Sequence, residues 1–363
     1  MRLTSRDSSD SSAAAWRVLL QRFVHMFAGT APGVSAGTLQ IVVRPFEWDV
    51  GNPAYGPYLE WTLAASIPAW GHYVTLGAAP RYVYEGYRDA IEHGFPLPAS
   101  ARELRLAECT NEIRWAARAP SPDVKVDGMG VPGFSYEPSP REWLARARLG
   151  EHDPVSFRVD ARSVQYDARR SAFTGAPGPE GLGFLAVANA ATSRAIEAFS
   201  REPAPSVVLS ASACSLLRVS PNAWYDDALV REHARRMHPI VGREREPGAG
   251  WWGPRGLLGS MTSGFILAYK PRAELLVSAE THAEIQAYRG RARQLSVGPC
   301  LFHLGEPGEG EVEVEARRDG RVRYTCQSRS EVPQVVGASA RVLGDPSYVS
   351  RETSRPLTRS LAP

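Results

Sequence analysis

The sequence predicts an α+β fold with mixed, largely antiparallel sheets, packed helices, and disordered N- and C-terminal tails. Segments with strand-like alternation and segments with helical spacing follow each other in irregular order. A hairpin signal in the C-terminal part requires an antiparallel strand pair, and no repeat at a fixed period is visible. These observations favour an α+β class over a regular βαβ architecture.

The N-terminal part divides into a polar tail and a longer region with regular elements. Residues 1–12 are rich in Ser, Asp and Arg and offer little to bury, so they are predicted to be disordered. Residues 13–120 predict an α+β region whose leading helix is amphipathic. Large apolar side chains share one face of this helix: Trp16, Leu19, Leu20, Phe23 and Phe27. The face either packs on the protein's own core or contacts a partner or a membrane surface.

The remaining elements of this region follow from alternation and from turn residues. Strands are expected at 38–46, 60–67 and 71–76, and a helix is expected at 80–94. The alternating pattern of 101–117 predicts a further pair of strands.

A Pro/Gly-rich stretch at 121–140 predicts a linker or long loop, and 141–328 predicts a second α+β region. Its helices are expected at 141–150, 181–199, 221–239 with Asn222 as the N-cap, and 281–290. Its strands are expected at 154–170, 206–219, 264–270, 273–279 and 293–305. Residues 329–363 are rich in Ser, Arg and Pro and predict a disordered tail.

The hairpin at 311–326 can be predicted in register. A three-residue loop, Arg318–Gly320, places glycine where a positive φ is required, whereas a two-residue loop would oppose two arginines. In the favoured register the cross-strand pairs on one face are apolar: Ala316 with Val322, Val314 with Tyr324, and Val312 with Cys326. The pairs on the other face are polar: Glu315 with Arg323, and Glu313 with Thr325.

The charge composition favours a globular protein without a strongly basic face. The net charge is +3, and 42 basic residues are interleaved with 39 acidic ones. Only two of the basic residues are lysines, Lys125 and Lys270, as expected from a GC-rich genome. Arginine suits phosphate recognition, but a polyanion-binding protein needs a concentrated basic surface. Nucleic-acid binding is therefore an alternative and not the leading hypothesis.

The cysteines and the hydropathy pattern predict a reduced, cytoplasmic protein. Cys109, Cys214, Cys300 and Cys326 lie far apart with no paired spacing, so neither a disulfide framework nor a zinc site is expected. The sequence has no apolar run of about eighteen residues, the length that a spanning helix needs. The first residues lack the uninterrupted apolar core of a secretory signal.

Two aromatic loops are the candidate binding residues. The glycine-rich segment 250–265 contains Trp251, Trp252 and Arg255; it lacks a phosphate-loop lysine and a dinucleotide fingerprint, so no cofactor is expected. In an extended segment the two tryptophans point in opposite directions, one inward and one outward, and an exposed tryptophan is a common interface anchor. The second loop, 47–61, offers a similar group: Glu47, Trp48, Tyr55 and Tyr58.

Two histidine–carboxylate pairs are the candidate catalytic residues. Asp226 and His233 share a face of the predicted helix 221–239, and His282 lies near Glu284 in the helix at 281–290. Histidine is the side chain that most readily transfers protons at neutral pH. No spacing in either segment matches a metal-binding motif, and no metal site is expected.

Three functions follow from these observations. The leading hypothesis is a non-catalytic interaction protein, such as an assembly factor, an inhibitor or an immunity-type partner, that binds another protein through its aromatic and arginine-rich loops. The first alternative is a hydrolase or transferase that uses one of the histidine–carboxylate pairs. The second alternative is an RNA-binding protein that uses arginine and aromatic stacking.

Overall fold

The fold belongs to the α+β class, as predicted. The computed structural model describes these residues: 39–52, 59, 63, 73–74, 82–111, 113–115, 130–160, 185–187, 206–238, 250–252, 256–289, 294–297, 299–304 and 310–344. Within these ranges, helices accompany a large, mostly antiparallel sheet and two smaller ones. The predicted tail at 1–12 and the amphipathic helix that follows it lie outside the described residues.

The strands and helices are numbered in chain order. The strands are β1 Leu39–Glu47, β2 Tyr73–Val74, β3 Ile113–Trp115, β4 Gly130–Pro132, β5 Phe134–Glu137, β6 Val155–Asp160, β7 Leu185–Val187, β8 Ser206–Pro221, β9 Ser260–Val277, β10 Gln294–Val297, β11 Cys300–His303, β12 Val312–Ala316, β13 Val322–Gln327 and β14 Gln334–Val342. The helices are α1 Val83–Asp89, continued by a π-helical turn at Ala90–Gly94, α2 Ala99–Asn111, α3 Pro140–Arg148, α4 Asp227–His233 and α5 Ala279–Arg289. None of the helices in the described ranges combines the length and the apolar character needed to cross a bilayer.

The chain folds into two compact units, and each unit draws on three separate segments. Unit 1 contains the described residues within Met1–Asp49, Arg141–Leu216 and Ile266–Gly337. Unit 2 contains those within Val50–Pro140, Leu217–Phe265 and Ala338–Pro363. The long strands β8, β9 and β14 contribute residues to both units.

The hairpin of unit 1 has the predicted register. Strands β12 and β13 pair antiparallel with Val314 opposite Tyr324 and Glu315 opposite Arg323. Gly320 has a φ of +77°, so glycine occupies the position where the loop needs a left-handed residue. The prediction succeeded because register, turn and cross-strand charge are all local properties of one short segment.

The sheet of unit 1 extends from this hairpin to β6. β13 pairs with β9, β9 pairs with β8, and β8 pairs with β6. One side of these strands carries the buried apolar residues: Val207, Leu209, Ala273, Leu275, Val277, Val322, Tyr324 and Cys326. Helix α5 contacts this side through His282, whose ring lies 5.8 Å from the ring of Tyr324. The two-residue period of each strand therefore buries one face of the sheet in the core of unit 1.

Strand β14 corrects the prediction of a disordered tail from residue 329. The side chain of Gln334 acts as a peptide group for β11: its Oε1 accepts from the N–H of Leu301 at 2.9 Å, and its Nε2 donates to the carbonyl of Leu301 at 2.7 Å. Val335 and Val336 are buried. The prediction was wrong because Ser, Arg and Pro residues dominate the composition of 329–363. The short apolar run between them forms a strand because it pairs with strands from distant parts of the sequence.

The core of unit 2 is a cluster of aromatic rings. Trp224 packs edge-to-face on Tyr84 at 5.5 Å, on Phe134 at 5.7 Å and on Tyr87 at 6.1 Å between ring centroids. The indole N–H of Trp224 donates to the carbonyl of Gly133 at 2.8 Å. Edge-to-face contacts and a satisfied donor are the usual conditions for burying a tryptophan.

Two predicted elements have the opposite secondary structure. The segment expected as a strand at 101–109 lies in helix α2, because Ala, Arg, Glu and Leu are strong helix formers and their brief alternation fits either state. Of the helix expected at 181–199, the structure describes residues 185–187, and these form strand β7, which pairs antiparallel with β10. At these three residues long-range strand pairing overrides the helix preference of the sequence.

Three further boundaries differ from the predictions. Leu63 is helical and not part of a strand at 60–67. Helix α4 is shorter than the predicted helix at 221–239, and its N-cap is Asp226 instead of Asn222. Asn222 serves another purpose, since its Oδ1 accepts from the hydroxyl of Ser135 at 2.5 Å. The two strands expected at 264–270 and 273–279 are one continuous strand, β9.

Candidate functional site

The tryptophans of the glycine-rich segment are anchors inside unit 2. Trp251 and Trp252 are only 3% and 5% exposed. The indole N–H of Trp251 donates to the carbonyl of His238 at 2.7 Å, and that of Trp252 donates to the carbonyl of Ala234 at 3.2 Å. Ala234 directly follows helix α4, where carbonyl groups lack helical partners. The expectation that one of the two rings points outward is therefore wrong.

Backbone contacts close this segment into a turn. The N–H of Leu257 donates to the carbonyl of Gly250 at 3.0 Å, and the N–H of Leu258 donates to that of Trp251 at 2.7 Å. Gly344, with a φ of +84°, lies against the ring of Trp252 so closely that a Cβ would overlap it. Arg255 lies outside the described residues. The described part of the segment turns the chain and packs tightly.

The second aromatic loop also begins in the core. Trp48 is 3% exposed, and its backbone N–H donates to the carbonyl of Pro333 at 2.8 Å. Glu47 has an oxygen 3.5 Å from Nε2 of His303. Trp48 is thus a core residue and not an exposed contact residue, while Tyr55 and Tyr58 lie outside the described residues.

Asp226 is occupied by structural contacts. Its Oδ1 accepts from the backbone N–H groups of Ala228 and Leu229 at 2.9 and 3.1 Å, which makes it the N-cap of α4. Its Oδ2 forms an ion pair with Arg105 at 3.0 Å. A second hydrogen bond holds its backbone, since its N–H donates to the hydroxyl of Tyr87 at 3.0 Å. Capping explains this carboxylate without a catalytic role.

His233 lies at the opposite end of the same helix. Its ring is 6.0 Å from that of Phe95, and its Nδ1 lies 3.4 Å from a guanidinium nitrogen of Arg236. An α-helix rises about 1.5 Å per residue, so the seven positions from Asp226 keep the two side chains apart. The predicted pair is not formed.

His282 has a tyrosine partner. Its Nδ1 lies 2.7 Å from the hydroxyl of the buried Tyr324 in unit 1. Glu284 is two positions further along α5, and side chains at this spacing do not face each other on a helix. The structure therefore places His282 in a hydrogen bond that supports the packing of α5.

Neither metal ligation nor thiol chemistry is indicated by the described side chains. Within the described ranges, no group of three or more His, Cys, Asp or Glu residues could hold a metal ion. The four cysteines are free and buried. Burial raises the pKa of the Cys109 thiol to about 11 and that of the Cys300 thiol to about 12, so both are neutral thiols at physiological pH.

The side of the unit 1 sheet opposite its core carries exposed and half-buried side chains, most of them polar. We call this side the open face; its residues are Glu313 and Glu315 of β12, Arg323, Thr325 and Gln327 of β13, Arg272, Glu274 and Leu276 of β9, Ser206, Val208 and Ser210 of β8, and Ser156 and Arg158 of β6. Antiparallel sheets commonly leave one face to solvent. This one presents side chains of both charge signs, with Arg158, Arg272 and Arg323 as its cationic groups.

The open face carries charges of both signs close to each other. A guanidinium nitrogen of Arg272 lies 2.7 Å from a carboxylate oxygen of Glu274. Arg323 and Glu315, opposite each other in the hairpin, approach only to 3.9 Å. Both pairs are partly exposed, and such pairs contribute about 0–1 kcal/mol to stability. Stability alone therefore does not explain this arrangement.

A cavity of about 140 Å³ opens on this face. Its principal lining residues are Arg158, Ser206, Glu274, Leu276, Arg317 and Arg323. They come from β6, β8, β9, β13 and the hairpin loop directly after β12, so the cavity exists only when the sheet is assembled. Within the described part of the chain, no carboxylate oxygen lies within 4.0 Å of the guanidinium nitrogens of Arg158 or Arg317.

Sequence reasoning found part of this site. The hairpin register correctly placed Glu315 and Arg323 on the polar face. It could not add Arg158 or Glu274, because these residues join the hairpin only through long-range pairing of β13 with β9, of β9 with β8 and of β8 with β6.

Compared with known proteins, the chain matches no protein-family model, no curated protein and no solved structure. The candidate site therefore depends on the geometry of the chain alone.

Proposed function

We propose that this chain is a non-catalytic interaction protein, such as an assembly factor, an inhibitor or an immunity-type partner, and that it binds another protein through the open face of unit 1. The observation that carries the proposal is the set of arginines that converge there from separate strands, two of them, Arg158 and Arg317, without a carboxylate partner among the described residues.

The residue types on the open face support contact with a protein. Arginine is enriched at protein–protein interfaces, and Arg158, Arg272 and Arg323 supply the cationic groups of this face. A guanidinium offers five donors in a planar arrangement, and its stem can pack on apolar surface at the same time.

The mixture of charges favours a protein over a nucleic acid as the partner. Glu274, Glu313 and Glu315 lie among the arginines of the same face. A phosphate backbone would be repelled by these carboxylates, whereas a protein surface can place acidic side chains against the arginines and basic side chains against the glutamates.

The sheet supplies a rigid platform for such a contact. Five paired strands fix the spacing of the outward side chains, and the buried side chains on the other side hold the strands in place. A preorganised surface loses less conformational entropy on binding than flexible loops do. The proposal therefore moves the contact surface from the aromatic loops to the sheet.

The proposal includes a reducing, cytoplasmic setting. All four cysteines are free thiols and are buried, which fits a compartment where disulfides are rare.

The test is affinity purification from the native host with a matched pair of variants. In the face variant Arg272→Glu/Arg323→Glu, two open-face charges are reversed. In the control variant Arg146→Glu/Arg231→Glu, two arginines that pair with an acid of their own helix are reversed instead. We expect the same proteins to be retained by the wild type and the control and to be lost by the face variant, while all three unfold at temperatures within a few degrees.

Two outcomes would contradict the proposal. The first is retention of the same proteins by the face variant; the second is the absence of any protein that the wild type enriches over empty resin. A gel shift with single-stranded RNA at low salt that disappears in the face variant would replace the protein partner with RNA.

A further inference from the structure

Guanidinium groups are concentrated around the cavity of the open face. Arg158 projects from β6, where it lies opposite Val208, and Arg323 projects from β13, where it lies opposite Leu276. Arg317 joins them from the hairpin, and a fourth guanidinium, that of Arg321, donates to the carbonyl of Leu276 at 3.1 Å. Guanidinium groups from two strands and the hairpin loop thus lie at or beside one opening.

These cations exceed the anions that could neutralise them. Glu274, the acidic residue of the lining, is engaged by Arg272 at 2.7 Å. The 3.9 Å between Arg323 and Glu315 exceeds hydrogen-bonding distance. Arg158 and Arg317 have no carboxylate neighbour within the described ranges. The opening therefore holds guanidinium donors that are available to an anion from outside.

The size of the cavity restricts what can enter. About 140 Å³ is less than the roughly 300–1,000 Å³ of pockets that bury whole small-molecule ligands. It suffices for the end of an acidic side chain. The hydroxyl of Ser206 adds a polar group, and Leu276 adds an apolar one that can contact the methylene groups of such a side chain.

We infer that this cavity is a binding site for one carboxylate group, supplied by an Asp or Glu side chain of the protein partner. The inference rests on the proposed function and names the group that the open face recognises. A guanidinium binds a carboxylate through two parallel hydrogen bonds. Glu274 and Glu315 beside the cavity oppose a second negative charge, so a monoanionic carboxylate is accepted in preference to a phosphate.

The test is a titration of the whole protein with small probes that need no partner. The probes are N-acetyl-glutamate methylamide, the isosteric N-acetyl-glutamine methylamide and inorganic phosphate, each at constant ionic strength because salt screens these contacts. The readout is the NMR signal of the arginine Nε–H groups, assigned with Arg158→Lys, Arg317→Lys and Arg323→Lys variants.

We expect the glutamate probe to shift the signals of Arg158, Arg317 and Arg323 saturably in the millimolar range, and the glutamine probe to bind at least about tenfold more weakly. The variant Arg158→Gln/Arg317→Gln should abolish the glutamate effect on Arg323. The control variant Arg146→Gln/Arg231→Gln should leave it unchanged.

Three outcomes would overturn the inference: no saturable shift, equal shifts with glutamate and glutamine, or tighter binding of phosphate than of glutamate. The titration is independent of the affinity purification. If the glutamate probe does not bind but the face variant loses the captured proteins, the carboxylate site is wrong and the proposed function stands. If the glutamate probe binds but the face variant captures the same proteins as the wild type, the site stands and the proposed function is wrong.

Discussion

The tryptophan segment of unit 2 and the open face of unit 1 are both rich in residues typical of interfaces, yet they use them differently. The segment buries Trp251 and Trp252 and satisfies their N–H groups with carbonyls near the end of α4. The open face presents Arg158 on β6 and Arg323 on β13, and the residues that alternate with Arg323 along β13 are buried. Aromatic residues that cluster along a sequence therefore indicate a contact surface only when the period of the element turns them outward.

The difference has a physical cause. A tryptophan can be buried completely when its single N–H finds an acceptor, and glycines such as Gly344 let the backbone approach the ring. An arginine carries five donors and a permanent charge, so the sheet can bury it only with a partner for that charge. The same sequence thus buries the two rings of the tryptophan segment and keeps the guanidinium groups of the open face at the surface.

The strongest test of this comparison is Trp252→Ala. Removal of the buried ring leaves a cavity and an unpaired carbonyl at Ala234, so we expect a loss of about 3–5 kcal/mol of unfolding free energy. Urea denaturation measures it, and Leu104→Ala, an exposed position on α2, is the control with a small effect. A melting temperature of Trp252→Ala within a few degrees of wild type would show that this ring is exposed and not buried.

A smaller effect separates two glycines with similar backbone angles. Gly344 and Gly320 both have positive φ, +84° and +77°, so alanine at either position is strained by about 1–2 kcal/mol. A Cβ at position 344 also overlaps the ring of Trp252, whereas at position 320 it meets nothing within 4 Å. We expect Gly344→Ala to lose about 1–3 kcal/mol more than Gly320→Ala in urea denaturation. Equal losses would show that the ring does not lie against this glycine.

The smallest expected effect is a dependence on alkaline pH that originates in unit 2. Burial raises the pKa of the Cys109 thiol from 9.0 to about 11 and that of the Tyr84 hydroxyl from 10.0 to about 12. The folded chain then holds these protons to higher pH than the unfolded chain, so their stabilisation is complete below the unfolded pKa and is lost as pH rises through the folded one.

We therefore expect the urea midpoint to fall between pH 9 and 11, and to fall less steeply in Cys109→Ala. Leu104→Ala on the same helix carries no ionisable group and should keep the wild-type slope. Identical slopes for Cys109→Ala and the wild type would show that the thiol titrates normally in the folded protein.

Local signals predicted much of the fold correctly. The hairpin β12–β13 was predicted pair by pair because its turn, alternation and charges lie within one short segment. Helix α3 and strand β8 were also predicted from their own patterns. The error at 101–109 is local, because a brief alternation of helix-forming residues fits either state. The error at 185–187 falls where a distant partner decides, since β7 is a strand that pairs with β10 against its own helix propensity.

The candidate site was predictable only in part for the same reason. Glu315 and Arg323 follow from the hairpin, but Arg158 lies more than 150 positions away and is joined to the hairpin through three strand pairings. The candidate catalytic residues have structural contacts that the sequence did not reveal, since Asp226 is a helix cap and His282 bonds to a tyrosine. A polar residue on a helix face cannot be assigned to chemistry before its structural contacts are known.

The position of β14 has a practical consequence for anyone who shortens this chain. Its composition invites a cut after residue 328, but that cut would remove Gln334, which holds the backbone of Leu301, and Gly344, which accommodates the ring of Trp252. Both units would lose part of their interior with a single stop codon. Trimming is compatible with the described fold only beyond Gly344.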